Sequence, residues 1–214
     1  LAAGSINTTE ILLRSEMHGL KVSPALGTGF GGNGDFFGLA YNGDFQTDVL
    51  GYGRGVPKPG DAGYPGPSIV GVVRYNGGAP PEKRITIEDF SFPSAYVTAA
   101  KAVFAGIRGD DTVLGNEAAQ QERVRRDFHP GAVYAPDGAL NHTMLYLVMG
   151  HDDARGTMKF DAPWYEPDGR MAIEWDQVGQ QLVFRRMDEE LRRHARALGA
   201  NFISHPVWNV FRTR

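Results

Sequence analysis

The sequence of 214 residues contains no cysteine, which excludes disulfide bonds, thiolate nucleophiles and cysteine-ligated zinc. It also has no apolar run of the ~18 residues that a membrane-spanning helix needs, so we expect a soluble protein. The sequence leaves the compartment open and slightly favours the cytoplasm. Its net charge of −3 gives no electrostatic reason to expect binding to nucleic acid or to an anionic membrane.

Several common catalytic and metal-binding signatures are also missing. No Gly-x-Ser-x-Gly is present, which argues against an α/β-hydrolase. The six histidines include no His-x-x-x-His pair, and His151-Asp152-Asp153 is typical of a polar hairpin. We therefore expect no metal site.

The hydrophobic pattern predicts many short strands joined by hairpin-like loops, with irregular helices between them. Predicted helices cover residues 7–18, where Asn7 and Glu10 have the spacing of a capping box, 95–106, and 177–198. Residues 116–128 are predicted to form a polar helix or a mobile segment. The predicted buried stripe of the last helix is Val183, Met187, Leu191, Ala195 and Leu198. Predicted strands cover 36–43, 68–75, 84–90, 141–152, 157–162 and 170–176. Gly and Pro predict a loop over 51–67. Because regular strand–helix alternation is missing, the pattern predicts an α+β fold with a largely antiparallel sheet and flanking helices.

A glycine-rich stretch, Gly27–Gly34, begins with letters that fit Gly-x-Gly-x-x-Gly. Its context argues against a dinucleotide-binding turn, because Pro24 interrupts the preceding strand and a strand pattern follows instead of a helix. Two interpretations remain. It is a plain glycine-rich turn, or it is a surface that a flat ring system or another chain segment can approach closely.

Six stretches of the chain, taken in order, resemble segments of one enzyme family. They are LAAGSINTTEILLRSE, LGTGFGGNGDFFGLAYN, GPSIVGVVRY, ITIEDFSFPSA, MLYLVMGHDDARGTMKFD and GANFISHPVW. The family is that of the glucose-methanol-choline (GMC) oxidoreductases, in particular the branch similar to cholesterol oxidase.

The resemblance implies FAD as the cofactor and a small-molecule alcohol, such as a sterol-like one, as the substrate. It implies that residues 1–35 are a remnant of an FAD-binding domain and that residues 36–214 are an incomplete substrate-binding domain. The missing N- and C-terminal parts of the same polypeptide would then be its partners. On this hypothesis the 214-residue chain alone neither holds FAD tightly nor oxidises alcohols.

Glu88 is the candidate catalytic residue. In ITIEDF it alternates with Ile85 and Ile87, so it points away from the apolar face of its strand, whereas Asp89 turns back toward that face. A solvated glutamate is the plain interpretation. The resemblance instead implies an acid/base for the substrate hydroxyl, or for a proton shifted during isomerisation of an unsaturated steroid.

Four further residues are candidates for binding the cofactor. Gly4 and Ser5 precede a predicted helix, whose N-terminus favours a negative group, although tight strand–helix packing is an equal interpretation. Asn33 and Gly34 are the last two residues of the glycine stretch, where the resemblance implies an amide that donates to a flavin carbonyl. An Asn-Gly pair that merely shapes a turn is the alternative.

Two other functions remain open on the residues alone. One is a non-catalytic module that binds a sterol, lipid or sugar, and the other is a degenerate or regulatory fragment without a ligand. His205-Pro206 is similar to the start of the family's His-Pro-Leu-Gly-Gly motif, but Val207-Trp208 follow, so we do not assign it as the catalytic base.

Overall fold

The computed structural model describes residues 3–52, 61, 68–75, 78–96, 109–111, 117–127, 137–166 and 168–204. The chain divides into two compact units that interleave along the sequence. The smaller unit comprises residues 1–33 and 152–181, and the larger comprises 34–151 and 182–214. The return of 152–181 to the N-terminal segment was not predicted from the sequence, and the assignment of residues 1–35 to an FAD-binding domain stays a prediction.

The described residues form three α-helices and eleven strands, most of them short. The helices are α1 (Ser5–Met17), α2 (Glu117–Asp127) and α3 (Leu182–Ala197). The strands are β1 (Thr28–Phe30), β2 (Phe36–Tyr41), β3 (Leu50–Tyr52), β4 (Val72–Tyr75), β5 (Ile85–Phe90), β6 (Phe92–Pro93), β7 (Asp110–Asp111), β8 (Met144–Gly150), β9 (Gly156–Asp161), β10 (Arg170–Glu174) and β11 (Asn201–Ser204). None of the helices in this described part is long and apolar enough to cross a membrane.

The smaller unit is an antiparallel sheet in the order β1-β9-β10 with α1 against β9. Arg14 of α1 joins helix to sheet, because its guanidinium lies 4.1 Å from the centre of the Phe160 ring and donates to the carbonyl of Asp168 at 2.6 Å. The N-cap of α1 is Gly4, so the capping box predicted from Asn7 and Glu10 is wrong. Since the helix begins at Ser5, Asn7 already lies inside its first turn.

The larger unit contains an antiparallel sheet whose described strands run in the order β4-β5-β8-β2-β11-β7, with β3 and β6 as a separate parallel pair. Helix α3 packs on one face of the sheet. Its buried stripe is Val183, Phe184, Met187, Leu191 and Ala195. The predicted stripe is thereby confirmed except for Leu198, which is half-buried, and the antiparallel sheets with helices agree with an α+β fold.

Helix α3 begins five residues later than predicted. Gln177 has a left-handed backbone, with φ of 55°, and residues 178–180 form a 3₁₀ turn before Leu182 starts the α-helix. Most of the helix predicted at 95–106 and of the loop predicted at 51–67 lies outside the described residues. The predicted polar helix at 116–128 is confirmed as α2.

Two arginines of α2 are buried, which the charged sequence of this helix did not predict. Arg123 and Arg126 are each only 5% exposed. Buried Asn42 lies between them: its amide donates to the Arg123 carbonyl at 2.8 Å, and its carbonyl oxygen accepts from Arg126 Nε at 2.8 Å. Arg126 also donates to the carbonyl of Gly43 at 2.9 Å, and the Arg123 guanidinium donates to the carbonyl of Gly199. The network ties α2 to the loops after β2 and α3.

We expect His194 of α3 to make the stability of the fold depend on pH. Its Nε2 lies 2.8 Å from the Tyr75 hydroxyl, and its ring is edge-on to Tyr146. Burial lowers the pKa of His194 below the usual 6.5, an effect that nearby Glu190 opposes and Arg193 adds to. Because the unfolded chain takes up a proton more readily, stability is intact above about pH 6.5 and falls as the pH drops through the lower folded-state value.

The measurement is urea unfolding of the chain at pH 7.5, about one unit above the usual pKa of histidine, and at pH 5.5, about one unit below it. His194→Gln should reduce the loss of free energy of unfolding between the two pH values, whereas His151→Gln, at an exposed position of the same unit, should leave it unchanged. An equal loss in all three proteins would contradict the assignment to His194.

Candidate functional site

Glu88 lies in the middle of a cross-strand row on the larger sheet. It is directly opposite Val72 of β4 on one side and Leu147 of β8 on the other, and Leu147 is opposite Phe37 of β2. Cross-strand partners present their side chains on the same face. Glu88 is therefore the one charged residue in a row of four whose other members are apolar.

This row lies on the sheet face opposite α3. Ile85 and Ile87 are buried on the opposite face of β5. Ile87 is paired with Val148, and Val148 is paired with Phe36. Because Phe36 contacts Phe184 of α3, this face is the one that α3 covers. The alternation predicted for β5 is thus present. Glu88 projects to the other face, as inferred from the sequence.

The face that carries Glu88 is buried at one end and half-open at the other. Its buried end is a core cluster of Leu39, Val49, Leu50, Leu140, Leu145 and Ile203, against which Phe37 and Phe90 pack. At the level of Glu88, Phe37 and Leu147 are only half-buried and Val72 is 49% exposed. Within the described part of the chain, the carboxylate of Glu88 has no hydrogen-bond or ion-pair partner.

Asp89, the neighbour set aside at the sequence level, has a structural role. Its Oδ1 accepts hydrogen bonds from the backbone N–H groups of Val70 at 3.0 Å and Gly71 at 2.5 Å. These bonds hold the chain that leads into β4 against β5. The two adjacent carboxylates therefore differ: Asp89 is engaged by backbone donors, and Glu88 faces the half-open apolar row.

Part of the glycine stretch packs closely against another segment of the chain. A Cβ at Gly27 would collide with the Met158 carbonyl of β9, and one at Gly31 would lie 2.8 Å from a carboxylate oxygen of Asp152. That carboxylate also accepts from the backbone N–H of Gly32 at 2.8 Å. For Gly27 and Gly31, the close approach made possible by glycine is therefore used by another chain segment. Residues 28–30 form a strand, which agrees with the rejection of a dinucleotide-binding turn.

Gly4 and Ser5 lie at an open helix end in the smaller unit. Gly4 has φ of 80°, and among the described residues beyond its own helix and its chain neighbours no atom lies within 4 Å of where its Cβ would be. No side chain in this described part caps the first turn of α1. Backbone N–H groups in that first turn have no partner within the helix and carry the positive end of its dipole. These residues fit a negative group such as a phosphate, so the helix end is compatible with the cofactor role implied by the resemblance.

Asn33 and Gly34 adopt consecutive left-handed conformations, with φ of 56° and 58°. The Asn33 side chain is exposed, whereas Gly34 is buried and a Cβ there would lie 3.1 Å from the Gly150 carbonyl. Asn33 is thus available as a donor, and Gly34 allows the turn that presents it. Their cofactor role stays a prediction.

Among the candidate residues, Gly4, Ser5 and Asn33 belong to the smaller unit and Gly34 and Glu88 to the larger. The sequence did not predict the apolar partners of Glu88, because strand pairing between residues far apart in the chain has no local signal. His205 lies outside the described residues. No group of three or more acidic or histidine side chains in the described ranges could hold a metal ion.

Comparisons of the chain with models of protein families, with curated proteins and with solved structures find no match. Membership of the GMC family therefore stays a prediction from the quoted stretches.

Proposed function

We propose that this chain is part of an FAD-dependent oxidoreductase that acts on the CH–OH group of a largely apolar alcohol, with Glu88 as its acid/base. One observation carries the proposal: Glu88 is the charged member of a half-open row formed with Val72, Leu147 and Phe37. An apolar surface with a single polar group is typical of sites that bind apolar small molecules and orient them by one hydrogen bond.

The chemistry follows from the surroundings of this carboxylate. A bound alcohol would displace water from Phe37 and Leu147 and bring its hydroxyl to Glu88. A hydrogen bond in such a water-poor environment is electrostatically stronger than one in water. Glu88 would accept the hydroxyl proton as the carbon is oxidised, which is general base catalysis.

The cofactor proposal rests on the N-terminus of α1 and on the turn at Asn33 and Gly34. When bound, the flavin would supply the chemistry of hydride acceptance from the alcohol carbon. The open N-terminus of α1 at Gly4 and Ser5 would stabilise a negative group of the cofactor, and the exposed amide of Asn33 would donate a hydrogen bond. Gly34 would hold Asn33 in its left-handed turn.

The direct test uses the protein expressed from its complete reading frame and reconstituted with FAD. Without oxygen, a sterol-like alcohol should bleach the visible flavin absorbance, whereas the methyl ether of the same alcohol should bind without bleaching it, because it has no hydroxyl proton to transfer. A protein that takes up no FAD, or whose FAD no alcohol in a panel of sterols, aliphatic alcohols and sugars reduces, would contradict the proposal.

The same half-open row supports the second candidate function, a binding module without chemistry. A sterol or lipid could pack on Phe37, Leu147 and Val72 while Glu88 only orients its hydroxyl. This function predicts that both the alcohol and its methyl ether bind and that neither is converted. Product analysis after incubation with the alcohol separates the two functions.

A further inference from the structure

A polar cleft lies within the smaller unit, and the proposed oxidoreductase function does not use it. Its volume is about 710 Å³, and its lining comprises three carboxylates, three glutamines, one threonine, one arginine and Trp175. None of the described residues that line the cleft has an aliphatic side chain. A volume in this range matches small-molecule sites, but such sites are mostly apolar, so the chemistry of this lining narrows the class of ligand.

Asp153 fixes the shape of the cleft. Its Oδ1 accepts from the indole Nε1 of Trp175 at 3.0 Å and from the amide Nε2 of Gln181 at 3.0 Å. Gln181 returns a bond, because its Oε1 accepts from the backbone N–H of Asp153 at 2.9 Å. Phe30 contacts Trp175 at 87° with ring centres 5.9 Å apart. The indole is therefore held in one orientation from two sides, and a pre-organised ring loses little conformational freedom on binding.

The charges of the cleft are largely matched. Glu174 forms an ion pair with Lys159, and the other carboxylate oxygen of Asp153 lies 3.9 Å from Arg155 Nε. Of the three acidic side chains, Asp176 alone has no cationic partner in the described part of the chain. This balance favours a neutral ligand over a cationic one, which would require a clear excess of negative charge.

Three further polar side chains of the cleft remain able to bond to a ligand. Within the ranges that the structure describes, the side chains of Thr157, Gln177 and Gln180 make no hydrogen bond. They offer hydroxyl and amide groups that both donate and accept. An oriented aromatic ring beside such groups is the combination that recognises a sugar, whose C–H face packs on the ring while its hydroxyls exchange hydrogen bonds with the amides.

We propose that this cleft is a saccharide-binding site, with Trp175 as the platform and Gln180 as a hydroxyl-binding residue. The site is distinct from the one proposed above for oxidation, because none of its lining residues is among those proposed to bind FAD or to act as the acid/base.

The experiment is a titration of the full chain with maltotriose, cellotriose and diacetylchitobiose. Binding is measured by calorimetry and by intrinsic tryptophan fluorescence. At least one of the three should bind, and Trp175→Ala should weaken that binding by about tenfold or more, or 1.4 kcal/mol. Trp164→Ala is the matched control. Trp164 is 93% exposed, contacts Tyr165 and is not part of the cleft, so its loss should leave the affinity unchanged.

A second variant protects the test against misfolding of Trp175→Ala. Gln180→Ala removes an exposed side chain and leaves the bonds among Asp153, Gln181 and Trp175 in place, and it should weaken binding by about threefold to tenfold. Absence of binding by all three saccharides, or binding unchanged by both Trp175→Ala and Gln180→Ala, would overturn the proposal. Binding of spermidine in preference to the saccharides would also overturn it, by identifying a cation site.

Discussion

Glu88→Gln should lower the rate of alcohol oxidation by about 10²–10⁴-fold, while the affinity for the alcohol stays within about threefold. Glutamine has the same shape, so the packing with Leu147 and Val72 is kept and the substrate hydroxyl still finds a hydrogen-bond partner. The amide does not accept a proton, however, so the step in which the hydroxyl is deprotonated loses its base. The effect should therefore appear in kcat and only weakly in KM.

The measurement is steady-state oxidation together with anaerobic flavin reduction in the protein expressed from its complete reading frame. Glu82→Gln is the matched control: Glu82 is exposed and lies in the 3₁₀ turn that precedes β5, so the same change of charge occurs nearby without touching the apolar row. Equal rates in the wild type and Glu88→Gln would make Glu88 a solvated or merely orienting residue and would favour the binding module.

Asn42→Leu should lower the free energy of unfolding by about 3–5 kcal/mol. Asn42 is fully buried and bonds to both Arg123 and Arg126. Leucine would leave the Arg123 carbonyl without this donor and would remove the acceptor of Arg126 Nε, and both groups would stay desolvated. Asn42 also has φ of 54°, a conformation that a branched side chain adopts only with strain.

Two further variants separate these contributions in urea unfolding followed by circular dichroism. Asn42→Gly relieves the backbone and loses only the side-chain bonds and packing, so it should cost about 1–3 kcal/mol. Asn33→Leu carries the same backbone strain, at φ of 56°, on an exposed side chain and should cost about 1 kcal/mol. If Asn42→Leu costs no more than Asn33→Leu, the buried network contributes nothing to stability.

Features that depend on neighbours along the chain were predictable. The stripe Val183, Met187, Leu191 and Ala195 identified α3, because residues three and four apart share one face of a helix. Alternation in the same way separated Glu88 from Ile85 in β5. In both cases the periodic spacing of apolar residues along a short segment predicts which side chains share a face. No knowledge of tertiary contacts is needed for that prediction.

Features that depend on remote partners were not predictable in the same way. The start of α1 was misjudged for a local reason instead, because Asn7 and Glu10 have the spacing of a capping box but the chain turns into the helix at Gly4. The burial of Arg123 was missed because α2 is mostly polar, and only the approach of Asn42 and Gly199 gives that arginine partners. A charged helix by itself is typical of a solvated surface.

The sequence alone determined the class of the fold and the face on which Glu88 lies, because a period of two or of 3.6 residues acts over a few neighbours. Only the tertiary structure decided that Glu88 stands between Val72 and Leu147, residues 16 and 59 positions away, and that Asp153, Trp175 and Gln181 form one cleft. The physical reason is the same in both cases. Pairing between distant segments depends on the packing of the whole chain, and the sequence around a residue does not indicate which distant residue it will pair with.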